Sequence, residues 1–241
     1  MKNVYFLSDA HLGSRAIAHG RTQERRLVNF LDSIKHNAAA VYLLGDIFDF
    51  WYEFKLVVPK GYTRFLGKIS ELTDLGVEVH FFIGNHDIWC GDYLEKECGV
   101  TIHRQPLTCE IYGKEFFLAH GDGLGDKDAK FKLLRSMFHS TTLRTLFSTI
   151  HPRWSIELGL EWAKHSRLKR EGGKEPEYMG EDKEPLVLFT KNYLKDHPDI
   201  NYFIYRYDTF RAVCRNCILT ADQWIFHVSI CVGIRSDHGN T

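Results

Sequence analysis

Apolar residues recur along the chain in short continuous runs separated by amphipathic stretches. Asn3 to Leu7, Ala39 to Leu44, Val77 to Ile83, Glu115 to Ala119 and Asn201 to Tyr205 are dominated by aliphatic, β-branched and aromatic side chains. Runs of this length and composition predict strands buried on both faces. Thr22 to His36 places Leu27, Phe30, Leu31 and Ile34 at helical spacing, and Tyr62 to Leu75 does the same with Phe65, Leu66, Ile69 and Leu72. Each predicts a helix with one apolar stripe. Strand–helix–strand alternation predicts a layered α/β core that can hold mixed strand directions.

The stretch from Asp126 to Gly173 breaks this rhythm. It lacks strand patterning and carries helical sets such as Phe131, Leu134, Met137 and Phe138, then Leu143, Leu146, Phe147 and Ile150. Gly172 to Glu177 reads as an exposed loop and Pro185 to Lys195 as a returning helix. The division that follows is a core of residues 1–125 and 175–241, with residues 126–174 as a helical cap insertion.

Composition narrows the picture. With 241 residues, 44% hydrophobic and 26% charged, the chain is ordinary for a globular protein with a sizeable core. Basic and acidic residues balance at 31 each, so the overall basic excess of a nucleic-acid binder is absent. Within Lys127 to Lys174, however, 11 basic and 4 acidic residues leave a local excess of +7. The plain reading of the cap's apolar stripe is packing on the core; the sharper one is a surface for an anionic, partly apolar ligand or a membrane. No apolar run approaches the roughly 18 to 20 residues that span a bilayer. The start, MKNVYFLSDAHLG, does not read as a signal peptide. Six scattered cysteines form no dense framework and predict a reducing, cytoplasmic setting. The lone CxxC at Cys214 and Cys217 lacks the second pair that a zinc site needs.

The chemistry is concentrated where strands end. The first ends in Asp9-Ala-His11, the second in Gly45-Asp46-Ile-Phe-Asp49, the third in Gly84-Asn85-His86-Asp87, and the fourth in His120-Gly121-Asp122. Ligands of open α/β sheets bind beyond the carboxyl ends of the strands, so four such clusters predict one convergent site. Carboxylate, imidazole and amide oxygen together suit Mn, Fe or Zn. A carboxylate such as Asp46 can bridge two ions roughly 3.5–4 Å apart, the arrangement used for phosphoryl displacement. Glycine at 45 and 84 allows the chain to turn closely around the ions. Asp49 and Asp87 fit a role in orienting their neighbours.

In their order and spacing, DxH, GDxxD, GNHD and the lone histidine resemble the calcineurin-like metallophosphoesterase superfamily. Within it, FLSDAHLG, LLGDIFDFW, GNHDIWCGDYL, LAHGDGLGDKD and WAKHSR are similar to the UDP-2,3-diacylglucosamine pyrophosphohydrolases of lipid A biosynthesis, in their Bacteroidetes-like form. The resemblance covers roughly Lys2 to Ile204. It implies an αββα sandwich with a helical cap that holds acyl chains, and two divalent metal ions, most simply Mn2+. Asp9 and His11 then hold one ion, Asp46 bridges, and Asn85 and His120 hold the other. His86 stabilises the charge that develops on the phosphoryl group. A metal-activated water attacks the α-phosphorus and releases UMP and 2,3-diacylglucosamine 1-phosphate. Asp122, Lys164, Ser166 and Arg167 become contacts to the uridine diphosphate or glucosamine part, with cap surface charge as the alternative role. The implied partner is a lipid-linked UDP-sugar, met in the cytoplasm or peripherally on the inner membrane face, with no nucleic acid.

The resemblance stops at the last motif. The family's final G-H-x-H should follow the strand 201–205, where this chain reads Tyr205-Arg206-Tyr207-Asp208. A reading-frame slip near codon 206 is one explanation of the departure, which resequencing that stretch tests. Three readings stand: the lipid A hydrolase, the same fold with impaired or lost catalysis, and a phosphoesterase acting on another substrate.

Overall fold

Side chains along β1 (Asn3–Ser8) alternate between two apolar environments. Val4 and Phe6 face one way, Tyr5 and Leu7 the other, and all four are buried. The computed structural model describes residues 2–16, 20–125, 133, 136–171, 183–205 and 229–234, with backbone alone for 169–171 and 229–234. β1 pairs in parallel with β2 (Ala38–Leu44), β2 with β3 (Glu78–Phe82), and β3 with β4 (Thr101–His103). A second sheet has the order β5-β6-β7, with β5 (Leu107–Ile111) antiparallel and β7 (Tyr202–Tyr205) parallel to β6 (Lys114–Ala119). β8 (Ser229–Ile234) lies antiparallel to β1 and completes a five-stranded sheet, β4-β3-β2-β1-β8.

Three apolar layers follow from the alternation. Tyr5, Leu7, Val41, Leu43, Val79 and Phe81 meet the stripes of α1 (Gly20–Ile34), α2 (Thr63–Asp74) and α3 (Tyr93–Cys98). On the opposite face, Val4, Phe6, Tyr42 and Phe82 pack against Phe116, Leu118 and Ile204 of the second sheet. That sheet's outer face, through Phe117, Phe203 and Tyr205, takes Leu186, Phe189 and Tyr193 of the helix Pro185–Asp196. The order is helix, sheet, sheet, helix, the expected αββα sandwich.

Two more helices, α4 (Thr141–Ser148) and α5 (Pro152–Glu171), precede that returning helix, which is therefore α6. They pack on the loops after β2 and β3, where Phe50, Tyr52 and Trp89 meet Phe138, Phe147, Ile156 and Leu160. Tyr52 Oη donates to Arg144 O at 2.8 Å, and Trp89 Nε1 to Phe138 O at 2.8 Å.

The expected strands are all present, and three more join them. β5 escapes a search for continuous apolar runs because it is half-exposed: Leu107, Cys109 and Ile111 point inward while Thr108 and Glu110 face solvent. β4 is only three residues long and partly exposed. β8 lies in the departing tail, where Ile230, Cys231, Val232 and Ile234 form a short apolar run that is not among the expected strands. Tyr205 is buried at the end of β7, whereas Arg206, Tyr207 and Asp208 lie outside the described residues.

Phe116 is fully buried between the sheets. Phe116→Ala is expected to lower the unfolding free energy by about 3–5 kcal/mol, through lost transfer energy and an unfilled cavity. Urea unfolding followed by circular dichroism measures this; a loss under about 1 kcal/mol would mean the two sheets do not share a tight core.

Candidate metal centre

Parallel pairing of β1, β2 and β3 sets their carboxyl ends side by side, so their loops can bond to one another. Asp9 N donates to Gly45 O at 3.1 Å, His11 N to Asp46 O at 2.9 Å, and Leu12 N to Ile47 O at 2.8 Å. Asp9, His11 and Asp46 adopt φ of 54°, 41° and 54°, in the left-handed region that costs a residue other than glycine about 1–3 kcal/mol. These bonds hold the strained backbone in place. A Cβ at Gly45 would lie 2.6 Å from His120 Nδ1, and one at Gly84 would collide with the Asp46 carboxylate. Both positions therefore admit only glycine.

The side chains converge on Asp46. Its Oδ1 accepts the His86 backbone N–H at 2.9 Å, which leaves Oδ2 facing two imidazoles. His120 Nε2 lies 3.5 Å from Oδ2 and His11 Nε2 lies 3.9 Å from it. Asp9 Oδ1 is 3.6 Å from His11 Nε2, and Asn85 Oδ1 is 3.3 Å from His120 Nε2. His11, Asp46 and His86 each offer a donor atom within 4.8 Å of the others.

Two of the imidazoles are held at Nδ1 by hydrogen bonds, and the third has a carboxylate beside it. His120 Nδ1 donates to Leu44 O at 2.8 Å and His86 Nδ1 to Asp49 O at 2.9 Å. His11 Nδ1 faces Asp49 Oδ1 at 3.4 Å. An acceptor at Nδ1 fixes the tautomer that leaves Nε2 as a lone-pair donor, the usual support of metal-binding histidines.

Charge points the same way. Burial works against protonated His11, yet Asp49, Asp9 and Asp46 more than offset it and raise its pKa to about 9. Burial likewise lowers His120, and Asp46 beside it carries the net shift well above the ordinary range. Burial opposes ionisation of Asp46 itself, but His120 and His86 hold it well below the usual carboxylate value. The cluster thus concentrates buried negative charge that draws protons onto its imidazoles, and divalent cations satisfy the same demand. Buried carboxylates, aligned Nε2 atoms and an amide oxygen fit such ions.

Asp87, also fully buried, ties the loops together. Its Oδ1 accepts Gly84 N at 2.6 Å and its Oδ2 accepts Ile47 N at 2.9 Å. Burial and the neighbouring Asp46 charge raise its pKa to about 7.

The calcineurin-like phosphoesterase family model matches residues 2–215. The chain belongs to this family. It is 42% identical over 214 residues to a UDP-2,3-diacylglucosamine hydrolase of Porphyromonas gingivalis, covering 84% of this chain and 81% of that protein. It is 30% identical over 171 residues to a UDP-2,3-diacylglucosamine hydrolase of Neisseria meningitidis, covering 71% and 70%. The family's hydrolases depend on divalent metal ions, in keeping with the donor set.

Beside the donors of this phosphoesterase lies a cavity of about 570 Å³. Asp49, Asn85, His86, Asp122 and Ser166 form its polar lining; Phe50, Trp89, Phe138, Phe147 and Trp162 are among the apolar residues. Of the residues expected to meet a ligand, Asp122 and Ser166 line this space. Lys164 does not; its Nζ lies 3.6 Å from Glu161. Arg167 donates to Asp49 Oδ1 at 2.9 Å. The aromatic lining and the pairing of Arg15 with Glu157 at 2.6 Å escaped the sequence reading, because each joins segments far apart in the chain.

Asp87→Ala is expected to lower the stability of the chelator-treated protein by at least about 1–3 kcal/mol, since buried amides lose their acceptor. Urea unfolding in EDTA checks this; an unchanged midpoint would remove Asp87 as the tie between the loops.

Proposed function

We propose that this chain hydrolyses the pyrophosphate of UDP-2,3-diacylglucosamine, giving UMP and 2,3-diacylglucosamine 1-phosphate for lipid A biosynthesis. One adjacency carries the reading: an apolar cavity of about 570 Å³ that ends on Asn85, His86 and Asp122. A molecule with acyl chains at one end and a diphosphate at the other suits both parts, because pockets bury apolar groups and orient them by a few polar ones. Relatives of this name, among them those of Porphyromonas gingivalis and Neisseria meningitidis, support the substrate class.

In this reading Asp9 and His11 would hold one metal ion, Asn85 and His120 a second, and Asp46 would serve both, with Mn2+ as the native metal. When bound, such ions supply Lewis acidity and a nucleophilic water near neutral pH. The chain's own groups do the rest. Asp46 keeps one oxygen on the His86 amide, so its free oxygen stays between the two sites. His86, its Nδ1–H held on Asp49 O, turns Nε2 toward the diphosphate and, when Nε2 carries a proton as well, donates to oxygens that gain charge as the bond to the leaving phosphate breaks. Asp122 and Ser166 position the polar part of the substrate, and Lys164 remains a proposed contact from outside the cavity lining. Phe138, Phe147 and Trp162 receive acyl carbon and exclude water.

Residues 126–174 act as a cap on a core of residues 1–125 and 175–241. On α5, Trp154, Leu158 and Trp162 follow one another at i, i+4 and i+8 and are 64%, 59% and 63% exposed. Together with the local basic excess, this stripe suits peripheral attachment to an anionic bilayer on its cytoplasmic side. No helix among the described residues is long and apolar enough to cross a membrane. A second reading, the fold without turnover, is favoured by Tyr205-Arg206-Tyr207-Asp208 in place of the family's last histidine pair.

The test is Mn-dependent release of UMP from UDP-2,3-diacylglucosamine, with Asp46→Ala as control. Turnover is expected to fall at least about 100-fold in the control and to vanish in EDTA. No turnover, with recovery in Arg206→His plus Asp208→His, would support the second reading; no turnover in either would exclude this substrate. Trp154→Ala is expected to reduce co-sedimentation with anionic phosphatidylglycerol vesicles several-fold, and unchanged binding would remove the stripe from the membrane reading.

A further inference from the structure

α5 touches the metal cluster through Arg167. This side chain, 14% exposed, donates from Nη2 to Oδ1 of the fully buried Asp49 at 2.9 Å. Asp49 in turn meets the cluster with three groups. Its Oδ1 faces His11 Nδ1 at 3.4 Å, its carbonyl accepts His86 Nδ1 at 2.9 Å, and its amide donates to Leu12 O at 3.0 Å.

Two further contacts seat the same helix on the same loops. Phe50, next to Asp49, lies against the α5 backbone at Gly159. Arg15, a few residues beyond His11, pairs with Glu157 at 2.6 Å and Glu161 at 2.8 Å. The Arg15 pairs are solvent-exposed and contribute little by themselves. The Arg167–Asp49 pair is largely buried and consists of a single bond from Nη2 to Oδ1, whose planar donor sets the direction of the contact as well as its charge.

We propose that Arg167 is a positioning residue for the metal centre: through Asp49 it ties the seating of α5 to the orientation of His11 and His86. The inference rests on the reading of Asp9, His11, Asp46, Asn85 and His120 as metal ligands. It gives Arg167 a role other than substrate contact. It also makes the cap more than a cover, because the helix that walls the cavity also holds the residue whose carboxylate stands behind His11 and whose carbonyl holds His86. Metal affinity and cap seating are then linked, each favouring the other.

The alternatives predict different signs. Were Arg167 only a positive charge near the ions, its removal would tighten Mn2+ binding. Were it a substrate contact, its removal would raise KM and leave Mn2+ binding unchanged. As a positioning residue, its loss frees Asp49 to turn away from His11 and weakens Mn2+ binding.

The experiment is calorimetric titration of Mn2+ into chelator-stripped protein without substrate, for wild type, Arg167→Ala, Arg167→Lys and Asp49→Asn. Arg167→Ala is expected to bind Mn2+ about tenfold more weakly, within the range seen when supporting partners of metal ligands are removed. Arg167→Lys keeps the charge but not the reach and direction of the Nη2 donor, and is expected to lose affinity as well, by a smaller factor. Adding Arg167→Ala to Asp49→Asn is expected to cost nothing further, because both act through one carboxylate. Melting of the stripped proteins separates a merely structural role, which lowers the midpoint and leaves Mn2+ affinity unmoved.

Unchanged or tighter Mn2+ binding by Arg167→Ala overturns the proposal. Wild-type affinity in Arg167→Lys overturns it too, and decides the matter alone should the alanine variant fail to fold. A wild-type protein that binds no Mn2+ overturns the metal-centre reading itself.

Discussion

Everything at the site depends on how Asp46 is held. Its backbone sits in a left-handed conformation, one carboxylate oxygen is taken by the His86 amide, and the other stands between His11 and His120. A carboxylate free to rotate would spend its charge on the nearest donor. This one cannot, because Gly84 lies against it and Asp87 gathers the amides of Gly84 and Ile47 around it. The cost of strain and burial is met by backbone bonds between neighbouring loops, which exist only because β1, β2 and β3 run parallel and end together.

The second sheet supplies what the first cannot. His120 follows β6, and its Nδ1 donates to Leu44 O at the end of β2, so the two sheets are joined at the site itself as well as through Phe116 and Leu118. A shift between the sheets would move His120 away from Asp46. The tight apolar layer between them therefore has a chemical consequence: it fixes the distance between an imidazole from one sheet and a carboxylate from the other.

The cap completes this division of labour. Its aromatic and aliphatic side chains meet Phe50, Tyr52 and Trp89, which project from the loops whose neighbours carry the donors. Apolar and polar linings thus share one cavity without either chemistry intruding on the other. In the proposed function, acyl carbon is buried against Phe138 and Phe147 and the phosphate ester meets Asn85 and His86, all of which line this cavity.

Much of this was readable before any coordinates. Four strand ends, each bearing carboxylate, imidazole or amide, already identified the cluster, since short buried strands announce themselves by unbroken apolar runs and ligands collect beyond them. The continuous strands, the helices α1, α2 and α6, and the grouping of Asp9, His11, Asp46, Asn85, His86 and His120 were all local or motif-level signals. What local pattern could not reveal depended on pairing across distance. β5 hid behind its alternation, and Lys164 and Arg167 read alike as cationic cap residues until one was seen beside Glu161 and the other beside Asp49. The sequence by itself determined which donors exist and that they converge. Only the tertiary structure decided which oxygen of Asp46 is free, which nitrogen each histidine turns inward, and which cap side chain reaches the centre. Those choices are set by hydrogen-bond partners that lie 37 to 118 residues away along the chain.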